Sequence, residues 1–140
     1  MASFVPGWTD LPPLLTDFWT ERHLCTLTTL RPDGRLHVVP VGVALDPEQE
    51  CAWVIAGGGS RKVANLRAGG GGAVAACQVD GARWSTLEGH GVVVEDPAQI
   101  ARACERYALR YRTPRENPAR VAIRITVDRF VAGAALLPPA

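Results

Sequence analysis

The residues with the clearest potential for chemistry lie in one short stretch, Gly57 to Leu66. Three glycines separate an apolar run, Ala52 to Ala56, from the segment that follows. In that segment Val63 and Leu66 are spaced like one face of a helix, so the pattern predicts a strand, a glycine turn and a helix start. Backbone N–H groups at a helix start lack intrahelical partners, and the helix dipole favours negative charge there. The stretch therefore predicts an anion-binding site.

Three side chains are suited to such a site. Ser60 is placed to cap the helix or to donate from its hydroxyl, and Arg61 offers a fork of donors that matches phosphate or carboxylate. Lys62 adds a point charge and is the only lysine in the chain, against 14 arginines. Both the P-loop pattern and the dinucleotide-binding fingerprint are missing from the sequence. A surface turn with two solvated basic residues is the alternative interpretation of this motif.

Other catalytic and metal-binding chemistry has little support in the sequence. The three histidines have no G-x-S-x-G partner, and His37 is interpreted as a half-exposed strand residue. The four cysteines are far apart and form no C-x-x-C motif, so a zinc site is not expected and the thiols are taken as reduced and structural. If the protein is an enzyme, a bound cofactor must carry the reaction.

The composition predicts a single domain spanning residues 1–140 and excludes several classes of partner. A net charge of +1 gives no overall field that would attract nucleic acid or an anionic membrane. The arginines at 102, 106, 110 and 112 are therefore expected to form a solvated helix face and not a nucleic-acid stripe. No apolar run approaches the roughly 20 residues of a membrane span, and the N-terminus lacks a signal-peptide layout. We expect a cytoplasmic protein.

Alternating apolar residues and turn signals predict six mostly antiparallel strands with three helices around them. The strands are expected at 24–30, 36–45, 51–56, 73–79, 83–95 and 120–132. Long strands with glycines at their bends are typical of small closed barrels, so the prediction is a mainly β barrel with flanking helices. Pro40 cannot donate to a ladder, which predicts an edge or a bulge and leaves the backbone at Pro40, Val41 and Gly42 free to face a ligand.

Several motifs together resemble a known family. They are ERHL at 21–24, TLTTLR at 26–31, HVV at 37–39 and GGS at 58–60, followed by Lys62 and Asn65. Their order resembles the split β-barrel flavin and deazaflavin oxidoreductases, often called pyridoxamine 5′-phosphate oxidase-like. The runs QVDGARW at 78–84 and RYALRYRTPR at 106–115 resemble the branch that uses coenzyme F420, in particular the F420-dependent biliverdin reductases.

This resemblance implies a six-stranded antiparallel split β-barrel that forms a homodimer with two cofactor sites at the subunit interface. It implies that the anion site holds the phosphate and acidic tail of F420, that backbone flanks the deazaflavin ring, and that the other subunit closes the site. The cofactor-binding residues expected on this basis are Pro40, Val41, Gly42, Ser60, Arg61, Lys62, Asn65, Gln78 and Trp84.

The resemblance also implies a reaction, in which reduced F420 transfers hydride to a conjugated acceptor such as a biliverdin-like linear tetrapyrrole. Arg35, Arg61 and Lys62 are then expected to pair with the propionates of the substrate. Two alternatives remain open at this point. One is an FMN-binding oxidase or reductase of the same fold, and the other is a non-catalytic carrier of flavin, deazaflavin or haem-derived ligands.

Overall fold

The structure, a computed structural model, describes residues 1–5 and 7–138. Within these residues it contains three α-helices and one antiparallel sheet of eight strands. The strands are Ala2–Phe4 (β1), Cys25–Leu30 (β2), Leu36–Val41 (β3), Ala44–Asp46 (β4), Cys51–Gly57 (β5), Gly72–Asp80 (β6), Arg83–Val94 (β7) and Arg120–Ala132 (β8). The helices are Pro13–Thr20 (α1), Arg61–Ala68 (α2) and Pro97–Arg110 (α3). The predicted fold class, a mainly β antiparallel barrel with three flanking helices, is confirmed.

The strand count differs from the six strands predicted, for two local reasons. Residues 2–4 form a short strand that pairs with the end of β8, which the sequence pattern did not indicate. The single strand predicted at 36–45 is divided into β3 and β4 by Gly42 and Val43.

Side chains from the end of α3 cause that division. The Val43 N–H donates to the Tyr111 hydroxyl at 3.1 Å, and the Val43 carbonyl accepts from Arg110 Nη1 at 2.6 Å. Gly42 lies so close to two tyrosine rings that a Cβ there would approach Tyr107 to 2.8 Å and Tyr111 to 2.9 Å. The backbone of this link is therefore hydrogen-bonded to side chains instead of to a neighbouring strand.

The sheet runs in the order β3-β2-β6-β7-β8-β5-β4, with β1 beside β8, and every pairing is antiparallel. Its two end strands, β3 and β4, are joined by only Gly42 and Val43, so the sheet must curve until its ends meet. The barrel is thus closed by the covalent chain and remains split between β3 and β4. Pro40 lies in β3, the edge strand, as predicted from its missing N–H.

The inside of the barrel is apolar, and α1 closes one end of it. Leu15, Phe18 and Trp19 of α1 are buried in the same cluster as the inward-facing residues of β2, β7 and β8. A second, smaller cluster lies outside the barrel, where Ala103 of α3 packs against Trp53 and its neighbours. The longest helix, α3, has 14 residues, and no helix in the described part of the chain is long and apolar enough to span a bilayer.

The prediction that the α3 arginines form a solvated face is wrong for three of them. Arg110 is only 8% exposed, and its guanidinium donates to backbone carbonyls and to Gln78. Arg106 donates twice to the Leu45 carbonyl, and Arg102 forms an ion pair with Asp46. Spacing alone places these arginines on one stripe, but a guanidinium that finds carbonyl and carboxylate acceptors can be buried.

Asp46 fastens α3 to the barrel. Its carboxylate is fully buried and accepts from Arg102 Nε at 2.8 Å, from Trp53 Nε1 at 2.9 Å and from the Gln49 N–H at 3.3 Å. Burial would raise the pKa of this carboxyl, but the hydrogen bonds from Arg102, Trp53 and Gln49 outweigh burial and lower the pKa to about 2. The carboxylate is therefore charged and satisfied in the folded state.

We predict that Asp46→Asn lowers the free energy of unfolding by about 2 kcal/mol at neutral pH, because it removes charge-assisted bonds from a buried site. The folded pKa lies below the ordinary value of 3.8, so this contribution is present above about pH 4 and is lost as the pH falls toward 2. Urea unfolding at neutral and acidic pH measures both effects. The control is Asp17→Asn, which changes an exposed carboxylate on α1. An equal loss in both variants would contradict the prediction.

Candidate functional site

The strand, glycine turn and helix predicted around Ser60 are present. β5 ends at Gly57, Ser60 occupies the N-cap position with extended backbone (φ −73°, ψ 155°), and α2 begins at Arg61. The Ser60 side chain makes no capping bond to the helix, and its buried hydroxyl oxygen has no hydrogen-bond partner among the described residues. A helix start with a free serine hydroxyl is a suitable place for an anion.

The two cations that follow Ser60 differ in burial, and neither is paired with a carboxylate in the described structure. Arg61 is exposed, whereas Lys62 is half-buried, and burial lowers the pKa of its ammonium. In residues 1–5 and 7–138 neither cation has a carboxylate within 4.0 Å. Arg35, the third cation predicted to bind substrate, instead pairs with Asp33 at 2.8 Å. Arg61 and Lys62 are therefore the cations available to an anion at this helix.

Polar side chains from β2 and β3 continue the site beneath α2. Asn65 is buried, and its Nδ2 donates to the Thr29 hydroxyl at 3.0 Å. Thr29 is the cross-strand partner of His37. The Asn65 Oδ1 and the His37 Nδ1 are both buried without a partner among the described residues, as is the Ser60 hydroxyl. Buried polar atoms are nearly always hydrogen-bonded, so three unpartnered ones in this region indicate a ligand-binding site.

The pKa of His37 reflects the positive charges in this region. Its pKa is lowered, first by burial and then by the positive charges of Arg31, Lys62 and Arg61. Cations from the β2–β3 hairpin and from α2 thus act on the same imidazole, which is kept neutral near pH 7. His37, Thr29 and Arg31 were not predicted as site residues from the sequence. The alternation along β3 places His37 on the inward side with Val39 and was the available signal.

A cavity and a groove lie beside these residues. The cavity, of about 320 Å³, lies between the hairpin and α2, where Arg31 and Asn65 both line it. The groove, of about 510 Å³, lies on the outer face of the sheet, where Leu30 and Leu36 contribute to its wall. These volumes are in the range of small-molecule sites.

The backbone segment predicted to flank a cofactor ring lies at the other end of β3. Pro40 is exposed on the outer face, Val41 is buried toward the core, and Gly42 faces the rings of Tyr107 and Tyr111. Pro40 is thus the member of this segment with an exposed surface.

Gln78 was expected to contact the cofactor, and its burial does not fit that role. The side chain is 1% exposed, with Nε2 donating to the Phe18 carbonyl at 2.9 Å and Oε1 accepting from Arg110 at 2.7 Å. Gln78 therefore supports the fold from inside. Trp84 is half-buried and packs over Gly133. Its cross-strand partner is the exposed Val79, so both residues lie on the outer face of the sheet.

Comparisons of the sequence and of the structure with known proteins give consistent results. A family model described as pyridoxamine 5′-phosphate oxidase matches residues 11–132. An F420H(2)-dependent biliverdin reductase of Mycobacterium tuberculosis is 49% identical over 120 residues, which are 86% of this chain and 86% of that protein.

Two solved structures are also similar. A conserved hypothetical protein from Mycobacterium tuberculosis superposes with a TM-score of 0.72 at 26% identity, covering 90% of this chain and 88% of that one. A structure described as an F420 reductase superposes with a TM-score of 0.63 at 25% identity, covering 82% of this chain and 94% of that one.

We predict that the pKa of His37 responds to an anion at α2. In the free protein it lies below the ordinary value of 6.5, so stability from this residue falls as the pH drops from about 6.5 through the folded pKa. Inorganic phosphate near Arg61 and Lys62 offsets their charge and raises the pKa. NMR titration of the imidazole signals measures the change, with the exposed His90 as the internal control. If phosphate leaves the pKa of His37 unchanged, the anion does not bind near Arg61 and Lys62, and the prediction is wrong.

Proposed function

This chain belongs to the pyridoxamine 5′-phosphate oxidase family, and on that premise we propose that it is an oxidoreductase that uses reduced coenzyme F420 to transfer hydride to a conjugated acceptor, a biliverdin-like tetrapyrrole. The observation that carries the proposal is the 49% identity to an F420H(2)-dependent biliverdin reductase, which extends over 86% of both chains. The similarity to a structure described as an F420 reductase supports the same cofactor.

The residues at the start of α2 fit the anionic part of F420. The coenzyme carries a phosphate and a glutamate tail, and the site offers Arg61 and Lys62 without carboxylate partners in the described chain. The unpartnered hydroxyl of Ser60 supplies a further donor. A charged phosphate held by a guanidinium, an ammonium and a helix start is a strong, charge-assisted arrangement.

Once bound, reduced F420 supplies the hydride, and the side chains of this protein bind and orient the reactants. Arg61 and Lys62 fix the anionic end of the cofactor, and the exposed Pro40 offers an apolar surface on the outer face of the sheet. Neutral His37 has a free ring nitrogen, Nδ1, available for a hydrogen bond to a ligand. Holding donor and acceptor in a reactive geometry is the main contribution expected of a protein in cofactor-based chemistry.

We further propose that the protein works as a homodimer formed through the outer face of the sheet. Leu36, Val38 and Val79 on this face are 66%, 55% and 69% exposed, and no helix covers them in the described structure. Exposed apolar side chains on one face of a sheet are typical of an interaction surface. A second copy on this face would cover them together with Trp84, the cross-strand partner of Val79, and would complete the wall of the groove to which Leu36 contributes.

A cytoplasmic location is part of the proposal. All four cysteines are free thiols, and Cys25 and Cys51 are buried. Burial raises the pKa of both thiols, so they are protonated and unreactive. Free cysteines without disulfides are usual in reducing compartments.

The first prediction tests the cofactor. The double variant Arg61→Ala/Lys62→Ala is expected to bind F420 about 10- to 100-fold more weakly, because two charge-assisted contacts are lost. Fluorescence titration with F420 and FMN measures the affinities. Arg35→Ala is the matched control, since its charge is already paired with Asp33. Equal affinity of the wild type for F420 and FMN would contradict the cofactor assignment and favour an FMN enzyme.

The second prediction tests the reaction. When the protein is incubated with reduced F420 and biliverdin, we expect the cofactor to be reoxidised. The absorbance of F420 measures this reaction, and quinones and nitroaromatics are tested as competing acceptors. Lys62→Ala is expected to raise KM for F420 more than it lowers kcat, because Lys62 binds the cofactor away from the reacting atoms. Tight F420 binding with no turnover of any acceptor would instead identify a carrier.

The third prediction tests the dimer. Val79→Asp places a charge on the exposed apolar face and is expected to give a monomer by light scattering and to weaken F420 binding. Leu109→Asp is the matched control, because Leu109 is equally exposed (72%) but lies on α3, away from this face. A wild-type protein that is monomeric, or a Val79→Asp protein that stays dimeric, would rule out this interface.

A further inference from the structure

A pocket of about 280 Å³ lies at the end of β5, where the glycine turn begins. Its wall includes the end of β5 at Gly57, Tyr107, two arginines from the connection between α3 and β8, and a third arginine at the start of β8. We call this the arginine pocket and define it by Arg112, Arg115 and Arg120. The F420-binding residues proposed above do not line it.

The charges of the arginine pocket are unbalanced. No aspartate or glutamate lines it, and none of its arginines forms an ion pair within residues 1–5 and 7–138. Arg120 is fixed by a bond from Nη2 to the Arg115 carbonyl at 2.6 Å. Arg112 and Arg115 are exposed, and their side chains make no hydrogen bonds in the described structure. Three cations around one concavity repel each other, and an anion relieves that repulsion.

The arginine pocket is held at a fixed position relative to α2. Gly57 pairs with Arg120 in the β5–β8 ladder, and the Gly58 N–H donates to the Ala119 carbonyl at 2.8 Å. A Cβ at Gly58 would approach that carbonyl to 2.9 Å, so the glycine allows close contact. Arg61 lies four positions after Gly57 in the chain, which limits the distance between their Cα atoms to about 14 Å. A ligand with several anionic groups is long enough to bind on both sides of the turn.

We propose that the arginine pocket is a second anion site that takes carboxylates of the oligoglutamate tail of F420, while Arg61 and Lys62 hold the phosphate. The inference rests on the proposed function, because it assumes that F420 binds at α2. Two linked contacts raise affinity through effective concentration, so the arginine pocket makes binding depend on tail length. The carboxylates lie on Arg112 and Arg115, whose guanidinium forks are unoccupied.

The test compares F420 that carries a long glutamate tail with F420 from which the glutamates have been removed. The wild type is expected to bind the long-tailed form about tenfold more tightly, and Arg112→Ala/Arg115→Ala is expected to bind both forms equally. Affinity for the form without glutamates stays unchanged, because it is held at Arg61 and Lys62. Arg22→Ala, which removes another exposed arginine, is the control for net charge.

Two outcomes overturn the proposal. One is a wild type that binds both forms equally, and the other is a double variant that keeps the preference for the long tail. If the wild type binds no form of F420, the proposed function fails, and a tri-γ-glutamate peptide then decides the question of the arginine pocket. Peptide binding that is lost in Arg112→Ala/Arg115→Ala supports an oligocarboxylate site, and no difference between the two proteins refutes it. Thermal unfolding checks that both proteins are folded.

Discussion

The buried guanidinium of Arg110 is the interaction on which the arrangement of this molecule depends. It donates to the carbonyls of Glu21 at 2.8 Å and Val43 at 2.6 Å, and to the Gln78 side chain at 2.7 Å. A buried charge is costly unless its hydrogen bonds are satisfied, and here oxygen dipoles satisfy it without a carboxylate. These bonds connect α3 to the loop after α1, to the link between β3 and β4, and to β6. Four parts of the chain are thus held by one side chain.

This anchor lies at one end of the β2–β3 pair, and the candidate binding residues lie at the other end. Val41 pairs with Cys25 at the anchored end of β3, whereas His37 pairs with Thr29 at the other end. The anchored end is apolar, and the distal end holds the unpartnered polar atoms beneath α2. An edge strand needs protection or a partner, and fixing one end allows β3 to keep its outer edge available. The end that we propose for ligand binding can therefore be polar at little cost to the stability of the barrel.

The sequence alone predicts a structural feature correctly where the signal for that feature is local. Ser60 occupies the predicted helix start directly after the predicted glycine turn, and α2 begins at Arg61. The sequence does not predict the burial or the contacts of a side chain whose partners are distant in the sequence. Gln78 resembles any polar strand residue, and the spacing of Arg110 resembles a solvated stripe, because the carbonyls that bury them come from other elements. For the same reason His37 was not recognised as a neighbour of the α2 cations.

The distribution of uncommitted cations explains how a chain with a net charge of only +1 is suited to an anionic ligand. Five arginines form ion pairs with carboxylates, namely Arg35, Arg67, Arg83, Arg102 and Arg129. In the described structure, six cations have side chains with neither an ion pair nor a hydrogen bond, namely Arg22, Arg31, Arg61, Lys62, Arg112 and Arg115. All but Arg22 lie beside the α2 site or the arginine pocket. The chain neutralises its charge elsewhere, so its unpaired positive charge is concentrated around one turn.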